Sequence, residues 1–202
     1  MFSLFRSFAG SAAFSFSAMA ASLALAPIAL VQPAIAAPAA WAVDQVSSGI
    51  SFSGTHAGNA FTGQFKRWKA NIRFDPADLA HSQVVVAIDL ASATTGDKFR
   101  DTTLREPEWF DSAKQPTATF VTRTIRAAGA GRYEADGVLT IKGKAVPVKL
   151  PFSLAIEGAN AMMSGKATLD RTALDLGMKS DAKAAWVSKT IDLDVKVKAT
   201  RR

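Results

Sequence analysis

From Trp41 onward, apolar residues recur at every second position. That is the period of a strand with one buried face. The clearest run is Val146, Val148, Leu150, Phe152, Leu154 and Ile156, with Lys149, Ser153 and Glu157 on the other parity. Ile50 and Phe52 alternate with Ser51 and Ser53, and Phe61, Gly63 and Phe65 share one face. Trp68, Ala70, Ile72 and Phe74 oppose Lys69, Asn71 and Arg73, so the parity changes near Arg67 and predicts a bend or bulge there. Residues 83–90 (QVVVAIDL) read as a buried strand, and residues 117–125 (TATFVTRTI) as a β-branched one. Residues 133–141 alternate through Tyr133, Ala135, Gly137, Leu139 and Ile141, and Lys142-Gly143 is a hairpin signal. Residues 162–170 form a further strand, and the last has Val187, Ile191, Leu193, Val195 and Val197 inward. Pro147 and Pro151 lack the N–H a ladder needs and predict an edge or a bulged position.

About nine strand segments follow from this pattern, with a single helix near residues 97–105. Thr94 or Thr95 is placed to cap that helix, Asp97 suits its positive end, and Pro107 follows it. Consecutive antiparallel strands with one apolar face must close or stack. The fold expected is therefore all-β, an antiparallel barrel of about eight strands with one short inserted helix; a two-sheet sandwich is the alternative. Residues 91–120 exceed what a meander needs between strands, and such an excursion builds a lid, a plug or a mouth.

The N-terminal part reads differently. Residues 7–31 carry no charge, Arg6 precedes them, and Ala34-Ile35-Ala36 supplies a small-x-small site. That order predicts a secretory signal peptide over residues 1–36, a short linker over 37–40 and the folded domain over 41–202. Removing the leader takes away one arginine and leaves 23 basic against 17 acidic residues, a net charge of +6. There is no cysteine, so an exported domain must rely on its core, and a bacterial periplasm is the expected destination. The basic residues are scattered along the chain, and no nucleic-acid recognition motif accompanies them.

Catalytic chemistry is hard to find. The two histidines, His56 and His81, are expected in separate loops without metal-ligand spacing. No G-x-S-x-G is present, and residues 158–166 lack the spacing and the hydroxyl of a phosphate loop. Neither an enzyme, a metal nor a cofactor is expected. What remains is apolar area. Phe52, Phe61, Phe65, Trp109, Phe110, Phe120, Leu139, Leu150, Phe152 and Leu154 fall at inward positions. They either fill a solid core or line a cavity, since barrels of this size occur in both forms.

Longer stretches carry a resemblance. W-A-V-D-Q-V-S-S-G-I-S-F at 41–52, G-Q-F at 63–65, I-R-F-D-P at 72–76 and V-V-V-A-I-D-L-A-S-A-T-T-G at 84–96 come first. R-D at 100–101, Leu104, W-F-D at 109–111, P-T-A-T-F at 116–120, L-T-I-K-G-K at 139–144 and D-R at 170–171 follow in order. Together they resemble the YceI-like family of periplasmic polyisoprenoid-binding proteins over nearly all of residues 41–200. The resemblance implies a lipocalin-like barrel, export, no catalysis, and a long isoprenoid chain in a hydrophobic channel. Thr103 stands where the family often has histidine, and Trp109 where phenylalanine is common. These features are closest to a subgroup associated with cytochrome b561-type membrane proteins, which implies an isoprenoid quinone as ligand and such a protein as partner. On this reading Arg100 or Lys98 meets the polar head at the mouth, unless Arg100 and Asp101 form a structural ion pair. A filled barrel serving as a stress or interaction protein is the alternative.

Overall fold

The computed structural model describes residues 37–202, so the predicted leader over 1–36 lies outside the described residues. In chain order the strands are β1 (Ala40–Val43), β2 (Gly49–His56), β3 (Asn59–Phe65), β4 (Trp68–Arg73), β5 (Gln83–Asp89) and β6 (Ala93–Thr94). Helix α1 (Lys98–Arg105) follows, then β7 (Thr117–Ala127), β8 (Arg132–Ile141), β9 (Lys144–Glu157), β10 (Asn160–Asp170) and β11 (Thr190–Arg201). Every pairing is antiparallel, and the order β1-β4-β5-β7-β8-β9-β10-β11 closes on itself through β1 and β11.

The strands outside this ring are continuations of strands within it. β11 pairs with β1 through Ala199–Arg201 and with β2 through Asp192–Lys196. β1 and β2, β3 and β4, and β5 and β6 are thus three long strands, each broken once, and the chain is an eight-stranded meander. The bend expected near Arg67 separates β3 from β4, and Ser92 and Asp89 fasten it. Lys66 N donates to Ser92 O at 3.2 Å, Arg67 N to Ser92 Oγ at 3.0 Å and Asp89 N to Arg67 O at 3.0 Å.

Strand parity follows the sequence in most places. Along β9 all six even positions from Val146 to Ile156 are more buried than their odd neighbours. β5 departs from expectation: it is half-buried, with only Val84, Val86 and Ile88 lining the interior. Its outer face is the wet face of a barrel, not a second packed layer. Val187 precedes β11 and pairs through an isolated bridge with His56, which closes β2 instead of lying in a loop.

The two prolines of β9 sit at a local edge and not at a bulge in the register. β9 pairs with β8 along Lys144–Ser153, but with β10 only from Phe152 to Glu157. The wall parts between the first half of β9 and the end of β10. Leu154 N donates to Gly131 O on the β8 side, so the odd positions of β9 face β10. Pro147 and Pro151 therefore lack their N–H on the side where no partner strand waits. A 3-10 turn at Thr172–Leu174 packs against β9, and Leu174 is 1% exposed.

Candidate functional site

The inward face encloses two cavities. The lower, about 120 Å³, lies at the end of the barrel holding β1 and the last residues of β11, and Phe120, Leu150, Phe152 and Leu154 line it with Trp41 and Phe74. The upper, about 90 Å³, lies under α1, and Phe52, Phe61, Phe65, Trp109, Phe110 and Leu139 line it. Ile50 lines both and separates them. All ten residues expected to face the interior do so, but they divide between two chambers instead of lining one channel. Rings also pack against small wall residues: Phe52 covers Gly63 in the upper chamber, and a Cβ on Gly137 would meet the Phe120 ring at 2.5 Å beside the lower one.

Neither chamber offers a free polar group. Thr122 is the polar residue of the lower one, and its Oγ1 accepts from Val84 N at 2.9 Å and donates to Val84 O at 3.3 Å. Among the described residues no buried side-chain nitrogen or oxygen lacks a partner. Such an interior recognises apolar bulk and shape, and empty apolar cavities of this size stay dry.

Two excursions roof the upper chamber. The first carries α1. Asp97 caps it by accepting from Arg100 N at 2.9 Å, in place of Thr94 or Thr95. Those threonines hold the helix through Asp101, which accepts from Thr94 Oγ1 at 2.6 Å, Thr95 N at 2.6 Å and Thr95 Oγ1 at 2.8 Å. Burial pushes the Asp101 carboxyl up, but these bonds outweigh it and hold it below the ordinary value. Asp101 is thereby occupied, so the ion pair with Arg100 does not form; the Arg100 guanidinium lies 5.1 Å over the Phe61 ring.

The second excursion, residues 171–189, separates β10 from β11 and carries no strand periodicity. Leu174 and Leu176 are buried against the upper chamber. Arg171 is 1% exposed and pairs with Asp181 at 2.7 Å. It also donates to the carbonyls of Leu176, Val187 and Ser188, and stacks 5.5 Å over Trp109. Burial pushes the Asp181 carboxyl up, yet the amides of Val187, Trp186 and Ala185 and the Arg171 charge bring it below the usual range. Glu108 clasps the two excursions together, accepting from Ser180 N at 2.6 Å, Ser180 Oγ at 2.7 Å and Lys179 N at 3.1 Å. The signal that could have found this element was its length, with Gly177 and Ser180-Asp181 interrupting a meander.

Outside the upper chamber lies a vestibule of about 230 Å³. Phe61, Leu104, Trp109 and Val187 line both spaces and form the partition between them. His56, Asp97, Phe99, Arg100 and Thr103 complete the vestibule. Arg100 lines the vestibule, whereas Lys98 is exposed at the first position of α1 and does not line it.

Residues 41–199 match the family described as the YceI-like domain. A UPF0312 protein of Vibrio cholerae serotype O1 is 33% identical over 100 residues, covering 49% of this chain and 53% of the relative, so the match spans about half of that protein. A UPF0312 protein of Pseudomonas savastanoi pv. phaseolicola is 28% identical over 191 residues, 88% of this chain and 97% of its own. The crystal structure of BcnA from Burkholderia cenocepacia superposes with a TM-score of 0.75 at 33% identity, covering 79% of this chain and all of that one (100%). A polyisoprenoid binding domain from Saccharophagus degradans shares the fold, with a TM-score of 0.64 at 18% identity over 81% of this chain and 99% of that one.

Proposed function

The chain belongs to the YceI-like domain family, and from that premise we propose that it binds a long-chain apolar lipid of the polyisoprenoid class inside its barrel. The observation that carries this reading is the interior: two dry apolar chambers in line, with a vestibule bearing Arg100 at one end. Each buried CH₂ contributes about 0.8 kcal/mol, so a chain nearly insoluble in water gains from such an interior without any polar anchor. The polyisoprenoid class is suggested by the Saccharophagus degradans domain of the same fold.

The chambers as they stand are small. A cavity of about 150 Å³ accommodates benzene, so a long chain must displace Ile50 and the partition residues as it enters. In its finer form the proposal is an exported periplasmic carrier, processed after Ala36, that takes an isoprenoid quinone or polyprenyl lipid and exchanges it with a cytochrome b561-type membrane partner. Arg100 meets the head group, and no turnover is involved.

Native mass spectrometry of the purified protein tests for a co-purifying lipid and gives its mass. Titrating stripped protein with a polyprenol or a quinone should change tryptophan fluorescence, and Trp109→Phe should remove most of that change because Trp109 stands in the partition. The absence of both a fluorescence change and a thermal shift with several isoprenoids would favour the filled barrel.

A further inference from the structure

The end of the barrel that carries the vestibule also carries the most exposed aromatic residues of the described chain. Phe99 on α1 is 81% exposed and Trp186 on the second excursion is 63% exposed. They flank one opening. Phe99 lines the vestibule together with His56 and Val187, and Trp186 O accepts from Ala57 N, next to His56, at 2.7 Å. Trp186 is presented by a rigid support, since its N–H is held by the buried Asp181 carboxylate at 3.2 Å.

Charge accompanies the aromatics. Lys98 sits beside Phe99 and Lys183 precedes Trp186 by three residues; both are exposed, and neither forms an ion pair among the described residues. Of the acidic groups on α1 and its flanks, Asp97 caps the helix and Asp101 is held by threonines, and Asp97 and Glu106 are exposed beside the basic Lys98, Arg100 and Arg105. Amphipathic aromatics at the headgroup level, with lysines reaching phosphates, are the combination that seats a soluble surface on an anionic bilayer.

We propose that this rim docks on an anionic lipid bilayer, Phe99 and Trp186 entering the headgroup region and Lys98 and Lys183 meeting lipid phosphates. The inference rests on the proposed lipid ligand, for which a docked vestibule would open directly onto the membrane that supplies it. The occupant is a membrane because two separated, exposed aromatics with unpaired cations offer little continuous apolar area for a protein partner.

Sedimentation with phosphatidylglycerol-containing vesicles tests the docking, and the thermal shift given by a short soluble isoprenoid tests the ligand separately. The native protein should bind these vesicles, bind pure phosphatidylcholine vesicles less, and detach as salt rises. Phe99→Ser with Trp186→Ser should weaken binding roughly tenfold, and Lys98→Glu with Lys183→Glu by a similar factor, with the isoprenoid shift retained in both. Val46→Ser and Met162→Ser are exposed controls away from this rim and should leave vesicle binding unchanged. No vesicle binding alongside an intact isoprenoid shift overturns the docking and leaves the ligand reading standing. Equal losses in the controls also overturn it, as does a dimer that Phe99→Ser dissolves in the absence of vesicle binding. Vesicle binding without any isoprenoid shift upholds the docking and removes the ligand.

Discussion

At the scale of single residues, the interior is set by what small positions leave for rings. A Cβ on Gly63 would clash with the far end of the Phe52 ring, and forcing extra volume into a packed site costs about 1–3 kcal/mol. Gly63→Ala should cost that much by urea denaturation, and less than half as much in a Phe52→Leu background. Strictly additive effects would mean that the glycine serves something other than the ring. Parity gives a second expectation. Phe120→Asp or Leu150→Asp places a charge in an apolar chamber with nothing to meet it, which should abolish folding or lipid binding. Lys149→Asp, on the wet face at 3.8 Å from Glu134 and 3.9 Å from Asp136, should cost less than about 1 kcal/mol.

At the scale of elements, the mouth depends on the buried Arg171–Asp181 pair, because the second excursion folds around it. Asp181→Ala leaves a charged guanidinium without its partner, so about 3–5 kcal/mol should be lost. The pair also sets a pH window. The Asp181 carboxyl is lowered in the folded protein, so its contribution is complete above the ordinary carboxylate value near pH ~3.9. It is then lost as the pH falls through the lower folded value. Between about pH 8 and pH 5 the Asp181 contribution should therefore stay complete. A native protein whose stability advantage over Asp181→Asn shrinks across that window, as followed by tryptophan fluorescence in urea, would contradict this account of the pair.

At the scale of the whole molecule, ligand and fold are linked by mass action. A lipid at one hundred times its Kd stabilises the native state by about 2.7 kcal/mol. For a domain of this size that corresponds to a rise in Tm of roughly 5–10 °C. A chain filling both chambers must pass Ile50, so the rise should grow with chain length in the native protein. In Ile50→Trp it should level off once the upper chamber is full. A length dependence that Ile50→Trp leaves unchanged would place the chain elsewhere.

Most strands and their inward faces, the inserted helix and the bend at Arg67 were legible in the chain, because they follow from periodicity and turn chemistry among neighbouring residues. Barrel against sandwich stayed open in that pattern, since closure is a pairing of β1 with the distant β11. Prolines 147 and 151 were legible as interruptions, but their meaning depended on where β10 stops pairing, which is a relation between distant segments. The ten interior residues were legible for the same local reason, while their division into two chambers was not. That division depends on Ile50 standing between linings drawn from segments that only folding brings together. Arg171 and Asp181 look like ordinary charged surface residues in the chain. Only the tertiary structure buries them together, because the hydrogen bonds that make a buried charge tolerable come from carbonyls and amides that folding alone brings into reach.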